Sequence, residues 1–239
     1  IGTEEKFEVL EEIEKSLQPE IVKVDLPART LILADDITER HFMNTEGARI
    51  HGTVPRLSLL FLLTASEPGK GTIQRIGHRA ETGGWERLKE WDPAGLVSEE
   101  ATALGKMLRL GERAPREELD LVLGPEVTGI VCHESCGHPQ EADRILGREA
   151  AQAGESYLKP DMIGYRVGAE NVTIVDDPTL PNSYGFYLYD EEGVKARRRT
   201  LIKEGTITEF LHNRETGAEF GLGSNGAARA VSYDREPII

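Results

Sequence analysis

The chain has 239 residues, with 28 Lys and Arg against 42 Asp and Glu, which gives a formal net charge of −14. A protein that grips nucleic acid needs a surplus of basic residues, and an anionic membrane surface would repel this balance, so we expect neither partner. Hydrophobic residues make up 38% of the chain, which is typical of a globular protein and not of a disordered one.

The N-terminal part is predicted to be mixed α and β. Residues 3–17 carry apolar side chains three or four apart, the pattern of an amphipathic helix. Strands rich in aliphatic residues are predicted at 21–26, 30–34, 49–64 and 72–78. The longest apolar run, residues 57–63, is too short to span a bilayer.

From residue 93 the pattern changes. Helical spacing of apolar residues runs from 93 to 110 and ends at Gly111. Further helices are predicted at 125–139, 141–152 and 215–220, and strands at 119–123, 172–175, 184–189, 200–202 and 206–211. The turn between the last two strands, Lys203-Glu204-Gly205, is a hairpin signal.

One short stretch combines three groups that suit a metal site. His133 is followed directly by Glu134, and His138 comes five residues after the first histidine. Imidazoles are good zinc ligands, and a neighbouring carboxylate can accept a proton from water. On a regular helix this spacing turns the second ring about 500° from the first, so the two would point about 140° apart.

The residues around the second histidine offer a way to bring the rings together. Gly137 loosens the helix, and Pro139 is expected to steer His138 away from the α region. We therefore predict an irregular helix between Ser135 and Pro139. Spacing alone leaves open an alternative, in which these histidines pack in the core or cap a helix end and the Glu is solvated.

Other side chains near the motif could also bind metal. Cys132 and Cys136 could complete a makeshift Cys-His-His site or hold a structural zinc with His138, although both are more often small buried hydrophobes. Glu141 and Asp143 are within reach in sequence, but carboxylates on helix surfaces are common. Two cysteines cannot staple a chain of this length, which indicates a reducing, cytoplasmic location.

The stretch 133–143 resembles the His-Glu-x-x-x-His segment of the TldD/PmbA family, also called modulators of DNA gyrase. Acidic turns at 176–178 and 190–193, a strand pair at 201–210 and a Gly-rich stretch at 220–226 resemble further motifs of that family in the same order. The resemblance extends from about residue 94 to the end, and more loosely before it.

The resemblance implies a zinc metallopeptidase of the TldD type, in which His133 and His138 bind zinc and Glu134 is the general base. It also implies a third ligand, usually a Cys much nearer the C-terminus, in proteins nearly twice as long. We therefore expect this chain to be part of a longer protein, with an empty or weakly held metal site and no activity on its own. Its substrate would be a peptide or unfolded protein held in extended form along a strand at 184–189 or 206–211.

These observations predict an α+β protein with two regions. A mixed α/β region at 1–92 is followed by a β-rich catalytic region at 93–239 that carries the His-Glu-x-x-x-His helix. Two alternatives remain open: a non-catalytic scaffold or partner subunit of such a peptidase, and a binding module with structural zinc. The resemblance implies a homodimer or a heterodimer with a related subunit.

Overall fold

A computed structural model describes residues 2–148, 150 and 154–239. The described residues fall into two compact units, the first within Ile1–Glu39, Thr53–Glu118 and Asn182–Tyr184, the second within Arg40–Gly52, Leu119–Pro181 and Gly185–Ile239. Helices and sheets with antiparallel strand pairs occur together, which confirms the predicted mixture of α and β. In the part of the chain that is described, no helix has both the length and the apolar composition of a membrane span.

The first 118 residues contain four helices and one sheet among those described. In chain order the elements are α1 Thr3–Ser16, α2 Pro19–Val22, β1 Asp25–Met43, β2 Arg49–Glu67, β3 Gly71–Thr82, α3 Glu86–Trp91 and α4 Pro93–Leu110. The helices predicted at 3–17 and 93–110 and the strands predicted at 49–64 and 72–78 are confirmed.

The predicted strand at 21–26 is wrong in its first half. Pro19 begins a short helix there, and Lys23 ends it in the left-handed region at φ 58. The strand starts only at Asp25 and then continues to Met43, well beyond the predicted 30–34. Proline pre-sets the φ of a first helical turn, and that local preference prevails over the aliphatic character of Ile21 and Val22.

The core of the first unit is built on the alternation of β2. Every second residue from Leu57 to Ala65 is buried, because successive side chains of a strand point to opposite faces. Ile13 and Leu17 of the α1 segment and the apolar stripe of α4, which includes Val97 and Leu104, belong to the same cluster. The buried face of the strand, which repeats every two residues, and the apolar stripes of the two helices, which repeat every 3.6 residues, thus pack together in one core.

A glycine in β3 makes room for an aromatic ring of β2. Phe61 and Gly77 lie directly opposite each other in the antiparallel register. A Cβ at Gly77 would lie 2.0 Å from the Phe61 Cζ, so the ring covers the glycine as in aromatic rescue of strand glycines. Phe61 is 2% exposed and cannot move out without leaving the core.

The second unit has shorter elements. They are α5 Pro125–Cys132, a π turn His133–Gly137, a 3-10 turn His138–Gln140, α6 Ala142–Ile145, β4 Ile174–Asp176, β5 Arg199–Lys203, β6 Thr206–Ile207 and α7 Arg214–Glu219. The strands predicted at 172–175 and 200–202 and the helix at 215–220 are confirmed within a residue or two. Of the helix predicted at 141–152, the described residues show Ala142–Ile145 and Ala150 as helical and 146–148 as a turn, and 149 and 151–153 lie outside the described residues.

Three predicted strands of this unit need correction. Residues 119–123 are exposed and form no strand, because their apolar side chains lie against no sheet here. Residues 184–189 form isolated bridges and turns only. The strand predicted at 206–211 is reduced to Thr206–Ile207, and its outer edge is already bonded, since the Ile207 N–H donates to Tyr165 and the Gly164 N–H donates to Ile207.

The predicted hairpin between β5 and β6 is confirmed. Lys203 pairs with Thr206, which leaves Glu204 and Gly205 as a two-residue turn with φ values of 50 and 76. Positive φ at both positions is the requirement of a type I′ turn. A Cβ at Gly205 would also lie 2.3 Å from the Gly168 carbonyl oxygen, so glycine is needed for space as well as for φ.

Buried polar side chains organise the second core. Arg199, 2% exposed, forms an ion pair with Asp176 and donates to the Gly226 carbonyl at 2.5 Å and to the Tyr187 hydroxyl at 3.1 Å. The Asn225 side chain accepts from the His212 N–H at 2.8 Å and donates to the Phe210 carbonyl at 2.7 Å. The Gly-rich stretch is therefore fixed by hydrogen bonds to neighbouring strands and loops.

Replacing Gly77 by Ala should lower the free energy of unfolding by about 1–3 kcal/mol, since the added methyl overlaps the buried Phe61 ring. Urea unfolding of the wild type and of Gly77→Ala measures this. Gly52→Ala is the matched control, because nothing lies within 4 Å of a Cβ there. Adding Phe61→Leu to Gly77→Ala should restore part of the loss relative to additivity; strictly additive effects would contradict the contact.

His212 gives a pH-dependent stability. Burial lowers the pKa of its imidazole in the folded chain. As the pH falls, the unfolded chain therefore binds a proton near pH 6.5, where the imidazole of the folded chain is still neutral. The free energy of unfolding of the wild type should therefore fall relative to His212→Gln as the pH drops below about 6.5, by at most about 1.4 kcal/mol per pH unit. Urea titrations of both proteins at a series of pH values measure the difference, and parallel profiles would refute it.

Candidate metal centre

Helix α5 carries the first histidine of the motif. It begins after Gly124 with Pro125 in its first turn, where the missing N–H of proline is not needed. None of its residues is buried, and Val127 and Ile130 are each about half exposed. The helix therefore presents His133, at its C-terminal end, on an exposed support.

The helical path widens directly after α5. Residues His133–Gly137 form a π turn, and the N–H of His138 donates to the carbonyl of His133, five residues back instead of four. The 3-10 turn His138–Gln140 follows. The predicted irregularity is confirmed, and it begins two residues before Ser135.

The expected cause of the irregularity is wrong. His138 has φ −55 and ψ −44, inside the right-handed α region, so Pro139 does not steer it away. Proline only disfavours that region for the preceding residue, and here it stands in the first turn of a 3-10 segment, where its N–H is not required. Gly137 also has right-handed angles, and a Cβ there would meet only the Cys132 carbonyl oxygen at 3.8 Å.

The wide turn brings the two imidazoles together. The ring centroids of His133 and His138 lie 4.3 Å apart with an interplanar angle of 66°. One ligand atom from each ring and one from the Glu134 carboxylate all lie within 4.8 Å of one another. Two nitrogens bound to one zinc at about 2.0–2.1 Å are at most about 4 Å apart, so small side-chain rotations suffice for both to reach one ion.

The three side chains differ in their exposure. Those of His133 and Glu134 are 62% and 64% exposed, and that of His138 is 26% exposed. The nearest ring nitrogen of His133 lies 3.8 Å from the Glu134 carboxylate. Water therefore reaches the carboxylate and the first imidazole freely, while the second imidazole is held among protein atoms.

A buried carboxylate orients the second imidazole. Glu141, 6% exposed, lies 2.8 Å through Oε1 from the Nδ1 of His138. Its other oxygen accepts from the Arg144 Nε at 2.9 Å, so the carboxylate is paired on both sides. A ring whose Nδ1–H donates to a carboxylate has its lone pair on Nε2, which is the arrangement of many metal-binding histidines.

Backbone hydrogen bonds on either side of Glu141 hold this residue in position. The Ala142 N–H donates to the Leu211 carbonyl at 3.0 Å, and the Leu211 N–H donates to the Gln140 carbonyl at 2.8 Å. Glu141 thus forms a parallel bridge with Leu211, a residue of the second core. The sequence analysis considered Glu141 only as a metal ligand, but in the structure it contacts the imidazole of His138. The spacing of three residues could have predicted this contact, because residues three apart lie on the same face of a helical turn.

Two further residues support the wide turn, although no sequence pattern pointed to them. The Ser156 hydroxyl donates to the Pro139 carbonyl at 2.7 Å, and the Tyr157 hydroxyl donates to the Ser135 carbonyl at 3.0 Å. Burial, with a smaller contribution from Cys136, raises the pKa of Tyr157 and keeps it a donor. A cavity of about 310 Å³ lies here, lined by Glu134, His138, Pro139, Arg144, Glu155, Ser156 and Tyr157.

The two cysteines lie near the centre without joining it. Both thiols are free and partly buried. Burial, and then the neighbouring Cys132, raise the pKa of Cys136, which disfavours the thiolate that binds metal. Within the described part of the chain, the ligand clusters that converge within 4.8 Å contain neither cysteine, nor Asp143, whose carboxylate accepts from the Arg144 and Ile239 N–H groups instead.

Models of two protein domains match the chain. The model of the PmbA/TldA metallopeptidase C-terminal domain matches residues 116–239, and the model of the central domain of the same metallopeptidases matches residues 1–114. The two matches cover nearly every residue of the chain.

Similar proteins are longer than this chain. A metalloprotease of Methanocaldococcus jannaschii is 31% identical over 241 residues, which cover 100% of this chain and 49% of that protein. A zinc metalloprotease TldD homolog of Saccharolobus solfataricus is 38% identical over 124 residues, 51% of this chain and 26% of that protein. The structure of TldE from Thermococcus kodakarensis superimposes on this chain with a TM-score of 0.69 and 17% sequence identity. The match covers 96% of this chain and 48% of the TldE chain, and it shows a shared fold.

Replacing Glu141 by Gln should weaken zinc binding about 10–100-fold, because the amide keeps the shape of the carboxylate but loses the charge that orients His138. Competition against a chromogenic chelator measures the affinity, and circular dichroism checks the fold. Glu126→Gln on the exposed helix α5 is the control and should bind zinc like the wild type. Equal affinity of all three proteins would show that Glu141 does not support the centre.

Proposed function

The chain belongs to the PmbA/TldD family of metallopeptidases, and from this premise we propose that His133 and His138 bind zinc and that Glu134 is the general base of peptide hydrolysis. The observation that carries the proposal is the convergence of the three side chains across the π turn, with their ligand atoms within 4.8 Å of one another. A regular helix would separate the two rings.

The donor set fits zinc. Two neutral imidazoles and a nearby carboxylate are the side chains that catalytic zinc sites combine, and the name of the Saccharolobus solfataricus relative includes zinc. A tetrahedral ion held by His133 and His138 has room for one further protein ligand and for water or substrate. The resemblance to the family implies a cysteine nearer the C-terminus of the whole protein as that ligand, and the position of Cys132 and Cys136 outside the converging cluster supports this.

Glu134 would carry out the proton transfer. A bound zinc ion would supply Lewis-acid polarisation of the substrate carbonyl and would make water more acidic. Glu134, 64% exposed and next to the first imidazole, would accept the proton of the attacking water and return it to the leaving amine. His138, whose Nδ1 contacts Glu141, would keep the lone pair of its Nε2 directed towards the ion. The two histidines would thus hold the ion, and Glu134 would transfer the proton.

The substrate proposed is a peptide or an unfolded protein. The cavity beside Glu134 and His138, about 310 Å³, is at the lower end of the usual range for ligand pockets and would take one or two side chains. The strand edges expected from the sequence do not support the grip, because 184–189 is irregular and the outer edge of β6 is bonded to residues 164–166. Arg144 and Glu155 line the cavity and would contact the peptide backbone or its termini.

A dimer is proposed for the whole protein, either of two copies or with a related subunit. The shared fold with TldE supports a relation between such subunits. His133, Glu134 and His138 favour the catalytic role for this chain over that of a scaffold, since a scaffold needs no converging donor set. A zinc site made by Cys132, Cys136 and His138 has less support, because the cysteines lie outside the cluster.

Replacing Glu134 by Gln in the whole protein should leave zinc content unchanged and lower peptide hydrolysis at least about 100-fold, because the amide cannot accept the proton of water. Metal analysis of the purified protein and cleavage of an unstructured peptide measure the two properties. Glu126→Gln, on the same helical segment, should keep both. Full activity of Glu134→Gln, or loss of zinc with activity, would exclude the assigned role of Glu134.

A further inference from the structure

Strand β1 leaves one edge of the first unit's sheet open. The sheet has the order β1-β2-β3, so β2 is central and β1 lies at an edge. Among the described residues, the backbone of 29–35 bonds to no segment other than β2. An open edge presents a row of N–H and C=O groups and is a template for pairing with another strand.

The alternation of β1 shows which backbone groups face the open edge. Leu31 and Leu33 pack against the core, as do the odd-numbered residues in the buried half of β2, so odd residues of the two strands lie opposite each other. The Pro55 carbonyl accepts from the Gly83 N–H, which means that odd residues of β2 bond towards β3 and even ones towards β1. The odd residues of β1 therefore direct their N–H and C=O groups to the open edge.

The sequence of this edge is complementary to itself when two copies run antiparallel. If Ile32 lies opposite Ile32 of a second copy, Leu31 lies opposite Leu33, and Arg29 lies opposite Asp35. Odd residues then face odd ones, as an exchange of hydrogen bonds across the edge requires. The same register joins like with like in the centre and opposite charges at both ends.

Neighbouring registers lose this match. Moving the twofold axis by one residue to Leu31 puts Arg29 opposite Leu33, and moving it to Leu33 puts Asp35 opposite Leu31. In both cases a charged side chain lies opposite a leucine and no opposite charges meet. Charge complementarity therefore favours the register centred on Ile32.

The two charged residues of the edge are already oriented by helix α1. Arg29 forms an ion pair with Glu14, and Asp35 forms one with Lys6. Pairing of two copies would extend these contacts into a row of alternating charges, Glu14 and Arg29 of one copy followed by Asp35 and Lys6 of the other. Side chains that are already held lose little further freedom when they meet an opposite charge.

The outer face of the sheet adds an apolar contact at the centre. Ile32 is 51% exposed, and its strand neighbours on that face, Thr30 and Ala34, are small and exposed. Antiparallel pairing would bring the two Ile32 side chains together as a pair without direct hydrogen bonds, the arrangement in which side chains come closest. Thr30 of each copy would lie opposite Ala34 of the other, so no bulky group interferes.

We propose that two copies of this chain pair antiparallel through residues 29–35 of β1, with the twofold axis at Ile32. Two sheets of three strands would join into one sheet of six strands. This pairing names the surface of the two-copy dimer proposed above and rests on that part of the proposed function, not on the peptidase activity.

Charge reversal tests the pairing by analytical ultracentrifugation of the 239-residue chain, which should sediment as a dimer. Arg29→Asp and Asp35→Arg should each weaken dimerisation at least about tenfold, because each puts like charges opposite each other at both ends of the interface. An equimolar mixture of the two variants should form dimers again, because opposite charges then meet at both ends. Arg75→Asp, which removes a comparable ion pair between β3 and Glu100 of α4, is the matched control and should dimerise like the wild type.

Circular dichroism checks that each variant is folded. A monomeric wild-type chain would overturn the proposal, since the edge would then serve an extended peptide or another strand of the whole protein. A dimer that neither reversal weakens would also overturn it and would assign the contact between copies to a different surface. Neither result bears on the roles proposed for His133, Glu134 and His138.

A disulfide tests the register. In a Cys132→Ser/Cys136→Ser background, Ile32→Cys should give a crosslinked dimer on mild oxidation, because opposed Cα atoms about 4.5 Å apart are within disulfide reach. Thr30→Cys is the control, since it would lie opposite Ala34 and the two new thiols would be about 13 Å apart along the strands. Electrophoresis without reductant measures the crosslink. Equal crosslinking of both variants, or of neither, would contradict the register.

Discussion

The hydrogen bond from the His138 N–H to the His133 carbonyl is the contact on which the candidate metal centre depends. It closes a turn that has one more residue than a turn of an α-helix. Because of this extra residue, two imidazoles five positions apart lie on the same side of the helix, whereas on a regular helix they would point apart. Moving the bond back by one residue would turn the second imidazole out of the cluster while leaving the sequence unchanged. The chemistry proposed for Glu134 therefore follows from a local departure from helical geometry.

That departure is supported from outside the helix. Ser156 and Tyr157 donate to carbonyls at both sides of Gly137, and the bridge between Glu141 and Leu211 ties the end of the segment to the second core. Wide turns leave carbonyls without regular partners, and hydroxyl donors can satisfy them. In the second unit, residues of irregular loops thus hold the helical segment in place.

Sequence reasoning predicted the elements with strong periodicity and failed where burial depended on distant neighbours. The helices at 3–17 and 93–110, the alternating strand β2 and the hairpin at Glu204-Gly205 were readable, because each satisfies local geometry by itself. The apolar stretch 119–123 has the composition of a strand but lies against no sheet. In the site, spacing singled out His133, Glu134 and His138, whereas Tyr157 comes from a loop without any periodic signal.

The unequal support of the two histidines has a thermodynamic consequence. His138 is oriented by its hydrogen bond to Glu141, so little rotational freedom is lost there when an ion binds. His133 stands at the end of a helix that buries none of its residues, and its ring has to be immobilised as the ion binds. Capture would therefore begin at the preorganised imidazole, and the exposed one would follow, with the entropic cost of closing the coordination sphere concentrated on a single side chain.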